Sequence, residues 1–427
     1  MPDTTVPPLS ITNRSGDTDR LPMAGLLALA MTGFICILTE TLPAGLLPQM
    51  SEGLGISQAL AGQMVTFYAL GSVLAAIPLT VATRGWRRRS VLLLSIVGFL
   101  IFNTVTALSS NYLLMLAARF FAGVAAGLAW SLLAGYARRM VAPHLQGRAL
   151  AVAMVGTPIA LSLGVPLGTW LGTLMDWRTI FGSMSLLTLG LVVWVMMKVP
   201  DYPGQSAAQQ LPWRRVLSTP GVRPVLGVVM AWMLAHNMLY TYIAPFVTPA
   251  GLASQVDRVL LVFGVAALAG IWITSRLVDR WLRATVLASI GMFALTALAL
   301  GLGGFSPLVS YPAVAVWGLT FGGAATLLQT ALADCAGDGA DVAIAINVTV
   351  WNIAIAGGGL FGGVLLATQG AAAFPWVLLV LLLVGLAIAW RARSHGFTPG
   401  RRAASGAVAG HVDRARCSQE SESVRET

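Results

Sequence analysis

The sequence has very little charge for its length. Only 10% of its 427 residues are Asp, Glu, Lys or Arg, whereas a soluble domain usually carries about 25%. The mean hydropathy of +0.79 is equally unlike that of a chain with a water-facing surface. The shortage of charge therefore excludes an ordinary set of soluble domains.

Cysteine and catalytic motifs are also scarce. The three cysteines, Cys36, Cys335 and Cys417, are scattered, which excludes an even-numbered disulfide framework and offers no metal-ligand spacing. The chain has no nucleophile–base constellation and no phosphate-binding loop. These absences argue against an enzyme, and we expect neither a metal nor another cofactor.

Long apolar runs are abundant instead. A run of about 20 residues without charge is a candidate membrane span, and it must be helical because lipid offers no partner to backbone polar groups. Twelve such runs occur, at residues 22–47, 59–82, 90–109, 113–137, 149–174, 180–199, 224–247, 259–275, 284–304, 309–333, 342–367 and 372–390. We predict an all-α integral membrane protein with twelve transmembrane helices.

The basic residues predict the orientation in the membrane. If the N-terminus is cytoplasmic, 23 of the 26 Lys and Arg residues fall in cytoplasmic loops and tails. Only Arg178 and Arg258 fall outside, and Arg119 lies within a span. This positive-inside pattern predicts a cytoplasmic (inner) membrane protein with both termini in the cytoplasm. It also accounts for the net charge of +10 without nucleic-acid binding.

A polar stretch divides the chain into two halves of six predicted spans. The halves show weak internal likeness, as in secondary transporters built from repeats, and predict two pseudo-symmetric six-helix bundles. The predicted organisation is a cytoplasmic tail at 1–21, a bundle at 22–199, a cytoplasmic linker at 200–223, a bundle at 224–392 and a disordered cytoplasmic tail at 393–427.

Two opposite charges lie inside predicted spans of the first half. Glu40 lies about 10 Å from the outer end of the first span, and Arg119 about 9 Å from that of the fourth, at 1.5 Å per residue. Burying such groups costs at least about 2.5–3.5 kcal/mol each. Three interpretations are open: a static salt bridge that fixes helix packing, a Glu40 that binds a proton or a cationic substrate while Arg119 tunes its pKa, or a span boundary that leaves Glu40 exposed at the interface.

Further polar side chains occur in the spans of the second half. His236 suits proton relay because it titrates near neutral pH, although a neutral, hydrogen-bonded histidine is the common alternative. Candidates for lining a substrate cavity are Asn237, Tyr240, Tyr242, Asn347 and Asn352. Hydrogen bonding between helices explains the asparagines equally well, and Tyr242 is alternatively an interface anchor.

The fifth span is rich in glycine and proline, at Gly156, Pro158, Gly164, Pro166 and Gly168. Small residues let helices approach closely, and proline bends a helix. The pattern is compatible with packing alone and with a pliable helix between the halves.

Four stretches of this sequence resemble the twelve-span drug/proton antiporters of the major facilitator superfamily, especially the arabinose-efflux and purine-nucleoside-efflux branch. They are residues 40–48, residues 116–123, residues 164–168 with 176–178, and residues 240–246. The resemblance covers about residues 22–392. It implies alternating access, efflux in exchange for protons, a monomer, and a role for Arg119 in proton coupling.

The loop motif of that superfamily is degraded here. Arg84, Arg87 and Arg88 remain, but Thr83 stands where the family has aspartate. The second half keeps Asp279 and Arg280. This motif is a gating latch in the family, so these five residues are gating candidates.

The sequence thus predicts a secondary transporter whose partners are a small-molecule substrate, protons and the lipid bilayer. Proton-coupled efflux of a small organic solute or drug is the leading hypothesis. Proton-coupled uptake or uniport of a sugar or nucleoside is the alternative within transporters. A membrane sensor or enzyme is the alternative outside that class.

Overall fold

The computed structural model describes residues 21–204, 212–303 and 306–398. These residues form helices joined by short turns, and no strand occurs among them. Most of the two predicted tails, at 1–20 and 399–427, and residues 205–211 of the predicted linker lie outside the described residues.

The first half runs from α1 to α9. Its helices are α1 (Met23–Gly45), α2 (Leu47–Leu54), α3 (Gln58–Ala82), α4 (Arg88–Leu108), α5 (Tyr112–Arg139), α6 (Gln146–Met154), α7 (Gly156–Ile159), α8 (Val165–Leu174) and α9 (Trp177–Lys198). A five-residue π-helical segment, Ala160–Gly164, joins α7 to α8. The fifth predicted span is therefore one interrupted helix.

The second half runs from α10 to α17. Its helices are α10 (Trp213–Ser218), α11 (Val222–Thr241), α12 (Ile243–Val247), α13 (Val256–Gly303), α14 (Pro307–Gly322), α15 (Ala324–Ala336), α16 (Ala340–Gln369) and α17 (Phe374–Arg391). α13 covers both the eighth and the ninth predicted spans and bends at Trp281, where φ is −138°. No glycine or proline lies between 275 and 283 to end the helix, so it kinks there without a loop.

Ten helices of the described residues are long and apolar enough to cross a membrane. α3 coincides with a further predicted span, and α13, which counts once among the ten, covers two predicted spans on either side of its bend. Each of the twelve predicted spans thus overlaps a helix, and the prediction of an all-α integral membrane fold is confirmed. The number of crossings itself stays a prediction.

Successive spans alternate in direction, and the start of α1 at Gly25 accordingly lies against the Lys198 carbonyl at the end of α9. α1 therefore begins and α17 ends at the same end of the molecule, called here the terminal end. Arg283 closes the second half at this end by donating to the carbonyls of Ala389, Trp390 and Phe397 at 2.9–3.0 Å. Phe397 is fully buried. The first residues of the predicted disordered tail are therefore packed against the second half.

The halves contact each other at the opposite end. There α3 lies along α16, and α8 with its π-helical segment lies along α13. Glycine makes both contacts close: a Cβ on Gly359 would overlap the Thr66 hydroxyl, and one on Gly264 would overlap the Ser162 backbone. α1 and α11 also touch, between these two contacts. This places the C-terminal part of α1 at the boundary between the halves, where Gly45 packs against Leu260.

Candidate functional site: a buried charge at the boundary between the halves

Glu40 lies in the middle of this boundary region and is only 8% exposed. It belongs to α1, which continues through Pro43 to Gly45. No hydrogen bond to its carboxylate is present among the described residues, and Arg119 does not come within the 4.0 Å of an ion pair. The structure therefore does not show the static salt bridge that was one interpretation of the sequence.

Arg119 is fully buried in α5 and binds backbone carbonyls instead. Its Nη2 donates to Thr39 on α1, and its Nε donates to Met64 on α3 at 3.4 Å. Proline lacks the N–H that would bond the carbonyl four residues earlier, so Pro43 leaves the Thr39 carbonyl open to Arg119. Within the described part of the chain, the Nη1 group of Arg119 is buried without a hydrogen-bond partner, and the guanidinium still interacts electrostatically with Glu40.

Neighbouring polar groups hold this part of α1 in place. The guanidinium of Arg119 lies 4.9 Å from the ring centre of Tyr68, whose hydroxyl donates to the Cys36 carbonyl at 2.9 Å. Asn103 on α4 donates to the Thr39 hydroxyl at 3.0 Å. Neither Tyr68 nor Asn103 is among the site residues predicted from the sequence. Asn103 was detectable as a polar residue within an apolar run, whereas nothing in the pattern distinguishes Tyr68.

His236 sits on α11 in an aromatic cluster of the second half. Its ring stacks on Phe321 with centres 3.5 Å apart, and its Nδ1 accepts a hydrogen bond from Trp317 Nε1 at 3.1 Å. Phe263 packs against both His236 and Trp317. Because Nδ1 accepts this hydrogen bond, it carries no proton, and the neutral imidazole fits this site. No carboxylate contacts the ring among the described residues. The geometry favours the hydrogen-bonding interpretation of His236 over proton relay.

Tyr240 connects this aromatic cluster to Glu40. Its ring packs on His236 and Phe263 at 5.4 and 5.5 Å. Its hydroxyl lies near Thr41 and interacts electrostatically with Glu40, yet it makes no hydrogen bond of ordinary geometry. The side chain is 4% exposed. Tyr240 is therefore a buried polar group of the second half that faces the charged group of the first.

The other predicted cavity residues lie in different settings. The amides of Asn237 and Asn352 donate to their own helices, at Met233 and Val348. Asn347 is buried with its Oδ1 unpartnered.

Tyr242 lies in the contact between α3 and α16. Its hydroxyl donates to the Gly359 carbonyl at 2.7 Å and lies 3.3 Å from the Ala59 carbonyl, while Gln63 donates to Gly359 at 3.2 Å. We call these four residues the seam. The structure therefore places Tyr242 in a junction between the halves.

The predicted glycine–proline segment packs against α1 and also contacts the second half. Gly156 packs against the backbone of α1 at Ala30, and Gly164 and Gly168 pack on Phe34 and Leu42 of the same helix. Pro158 and Pro166 flank the π-helical segment, and such segments are frequent at functional sites. Ser162 of this segment meets α13 of the second half. Close packing and a contact between the halves thus coexist.

The first-half arginines of the degraded loop motif contact one another and the start of the predicted linker. Arg87 forms an ion pair with Asp201, and the Arg88 side chain donates to the Arg84 carbonyl. Burial of Asp201 works against its ionisation, but hydrogen bonds from the Arg87 side chain and the Arg89 backbone lower its pKa below the usual value. Asp279 and Arg280 lie just before the bend of α13. Asp201 thus binds the arginine loop from the start of the linker.

A bundle of long apolar helices in two halves, with a buried carboxylate at their boundary, is the architecture expected of a membrane transporter. The sequence profile of the Major Facilitator Superfamily matches residues 29–359. The chain belongs to this family and is a multi-pass secondary transporter of a small-molecule substrate, not an enzyme. These predictions are confirmed.

Relatives of known name agree with this assignment. The chain is 30% identical over 365 residues to the purine ribonucleoside efflux pump NepI of Escherichia coli O157:H7, covering 84% of this chain and 91% of that protein. It is 29% identical over 361 residues to NepI of Shigella flexneri, with the same coverage. The human organic anion transporter MFSD10 (TETRAN) shares the fold, with a TM-score of 0.61 and 17% identity over 86% of this chain and 98% of that one.

Proposed function

We propose that this protein exports a small organic solute across the cytoplasmic membrane in exchange for protons, and that purine ribonucleosides are the first substrate class to test. The observation that carries the proton coupling is Glu40, a buried carboxylate without an ion pair at the boundary between the halves. A carboxylate in such a place is a natural proton carrier. The relatives named as efflux pumps support export and the substrate class.

The mechanism is alternating access. The halves touch at the end opposite the termini, whereas at the terminal end α6 packs on α1 and α5, and α15 packs on α13 and α16, each within its own half. With both termini cytoplasmic, this is an inward-facing arrangement that loads solute from the cytoplasm. Rocking of the halves then exposes the site to the outside. The protein acts as a monomer, because each chain contains both halves.

Radiolabelled inosine counterflow in proteoliposomes tests the substrate class. Protein reconstituted in vesicles preloaded with unlabelled inosine is expected to accumulate external labelled inosine, while vesicles without protein stay at background. A panel of other nucleosides, sugars and cationic drugs, added as competitors, ranks specificity. If purine nucleosides neither exchange nor compete while another solute does, the proposed substrate class is wrong.

A further inference from the structure

Three unpaired polar groups meet at the boundary between the halves. Among the described residues, no hydrogen bond to the Glu40 carboxylate is present, and the Nη1 of Arg119 and the hydroxyl of Tyr240 are both buried without a hydrogen-bond partner. A buried donor that lacks a hydrogen-bond acceptor typically costs about 1–3 kcal/mol. Such a cost at two donors beside one carboxylate indicates partners that are exchanged during the transport cycle.

The two donors belong to opposite halves. Arg119 is fixed to the first half by the Thr39 and Met64 carbonyls and by the ring of Tyr68. Tyr240 is fixed to the second half by its aromatic neighbours His236 and Phe263. Glu40 therefore lies between one donor that moves with its own half and one that moves with the other.

The surroundings contain few competing charges. The titratable groups that interact with Glu40 are Cys36 on its own helix, Tyr68 on α3, Arg119 on α5 and Tyr240 on α11. Among these, only the Tyr240 hydroxyl comes from the second half. Thr41, the other group near the phenol, already donates its hydroxyl hydrogen to the Ile37 carbonyl at 2.7 Å.

We propose that Tyr240 is the positioning residue through which the second half responds to the protonation of Glu40. An ionised Glu40 accepts a hydrogen bond from the phenol and draws α11 to α1. A protonated Glu40 no longer holds the phenol as strongly, because a hydrogen bond to a charged acceptor is about twice as strong as one to a neutral acceptor. This inference rests on the proposed proton coupling and adds the residue that transmits it to the rocking motion.

The test separates solute exchange from proton movement. Wild type, Tyr240→Phe and the matched control Tyr311→Phe are reconstituted in vesicles. Tyr311 is another phenol of the second half; it lies outside this site, and its hydroxyl donates to Gln255 at 3.0 Å. Inosine counterflow at equal pH reports exchange, and an internal pH dye reports solute-driven proton movement. Chromatographic profiles and melting temperatures establish that the variants fold.

We expect Tyr240→Phe to keep counterflow within about twofold while solute-driven proton movement falls at least about tenfold, the factor for losing a hydrogen bond to a charged group. Its counterflow should also lose its dependence on pH. Tyr311→Phe should match wild type in both assays. Thr41→Val, which removes the other nearby group, should retain coupling.

Three results would overturn the inference. In the first, Tyr240→Phe couples protons as wild type does. In the second, it loses counterflow and proton movement in equal proportion, which would make the phenol a substrate contact. In the third, Thr41→Val uncouples as strongly, which would place the phenol's partner at Thr41. If wild type itself moves no protons with any transported solute, the proposed proton coupling fails first, and the inference fails with it.

Discussion

At the scale of single residues, Arg119 organises the site more than its charge alone suggests. Pro43 leaves the Thr39 carbonyl without its helical donor, and Arg119 reaches across from α5 to supply one. A second hydrogen bond reaches Met64 on α3. One guanidinium therefore joins three helices of the first half and sets the position of Glu40, the next residue after Thr39.

We predict that Arg119→Lys lowers solute counterflow at least about tenfold, because a compact ammonium cannot bond both carbonyls in the fork geometry of a guanidinium. The lost hydrogen bond to a charged group is worth about 1.5–3 kcal/mol, so the melting temperature of the purified protein should fall as well. The matched control is Arg258→Lys, at an exposed position near Gln255. Equal counterflow in the two variants would contradict this role.

The sequence was sufficient to find Glu40 and Arg119, since charges are conspicuous in apolar runs. It was not sufficient to show how they are arranged. Matching depth indicated a pair, whereas the guanidinium turns to the carbonyl that Pro43 exposes. Trp317 and Phe321 also escaped detection, because aromatic residues that pack a core and those that surround a histidine look alike in a pattern.

At the scale of helices, close approach at glycine decides where the halves meet. A Cβ on Gly62 of α3 would overlap the ring and hydroxyl of Tyr242, and one on Gly363 of α16 would meet Gln63. The two helices therefore approach this closely only because glycine has no Cβ at these two positions. Helix positions follow from hydropathy, but helix rotation does not, and so the sequence could not place Tyr242 in the seam.

We predict that Gly62→Ala separates α3 from α16 at the seam and increases the solvent exposure of neighbouring buried residues of α3. The reporter is Thr66→Cys, a position that is 3% exposed in the seam region, in a background without the three natural cysteines. A membrane-impermeant maleimide should label it several-fold faster when Gly62→Ala is present. Gly190→Ala is the matched control, because a Cβ there meets nothing within 4 Å. Identical labelling rates in both backgrounds would show that the seam tolerates the added carbon.

At the scale of the whole molecule, the division into two six-span halves came directly from the sequence, through the polar stretch around residue 200 and the spacing of the apolar runs. Their contact at one end could not be derived in this way, since it depends on side chains far apart in the chain. This contact explains why the position of Glu40 matters. A carboxylate inside one half would not respond to the other half, whereas one at the boundary is able to link protonation to rocking.

The central claim is that Glu40 carries the exchanged proton, and solute-driven proton movement measured with an internal pH dye in proteoliposomes tests it most directly. Wild type is compared with Glu40→Gln and with the matched control Glu52→Gln, an exposed position on α2. We predict that inosine drives proton movement in wild type and in Glu52→Gln, and that Glu40→Gln abolishes it while its inosine counterflow persists. Undiminished solute-driven proton movement in Glu40→Gln would contradict the claim.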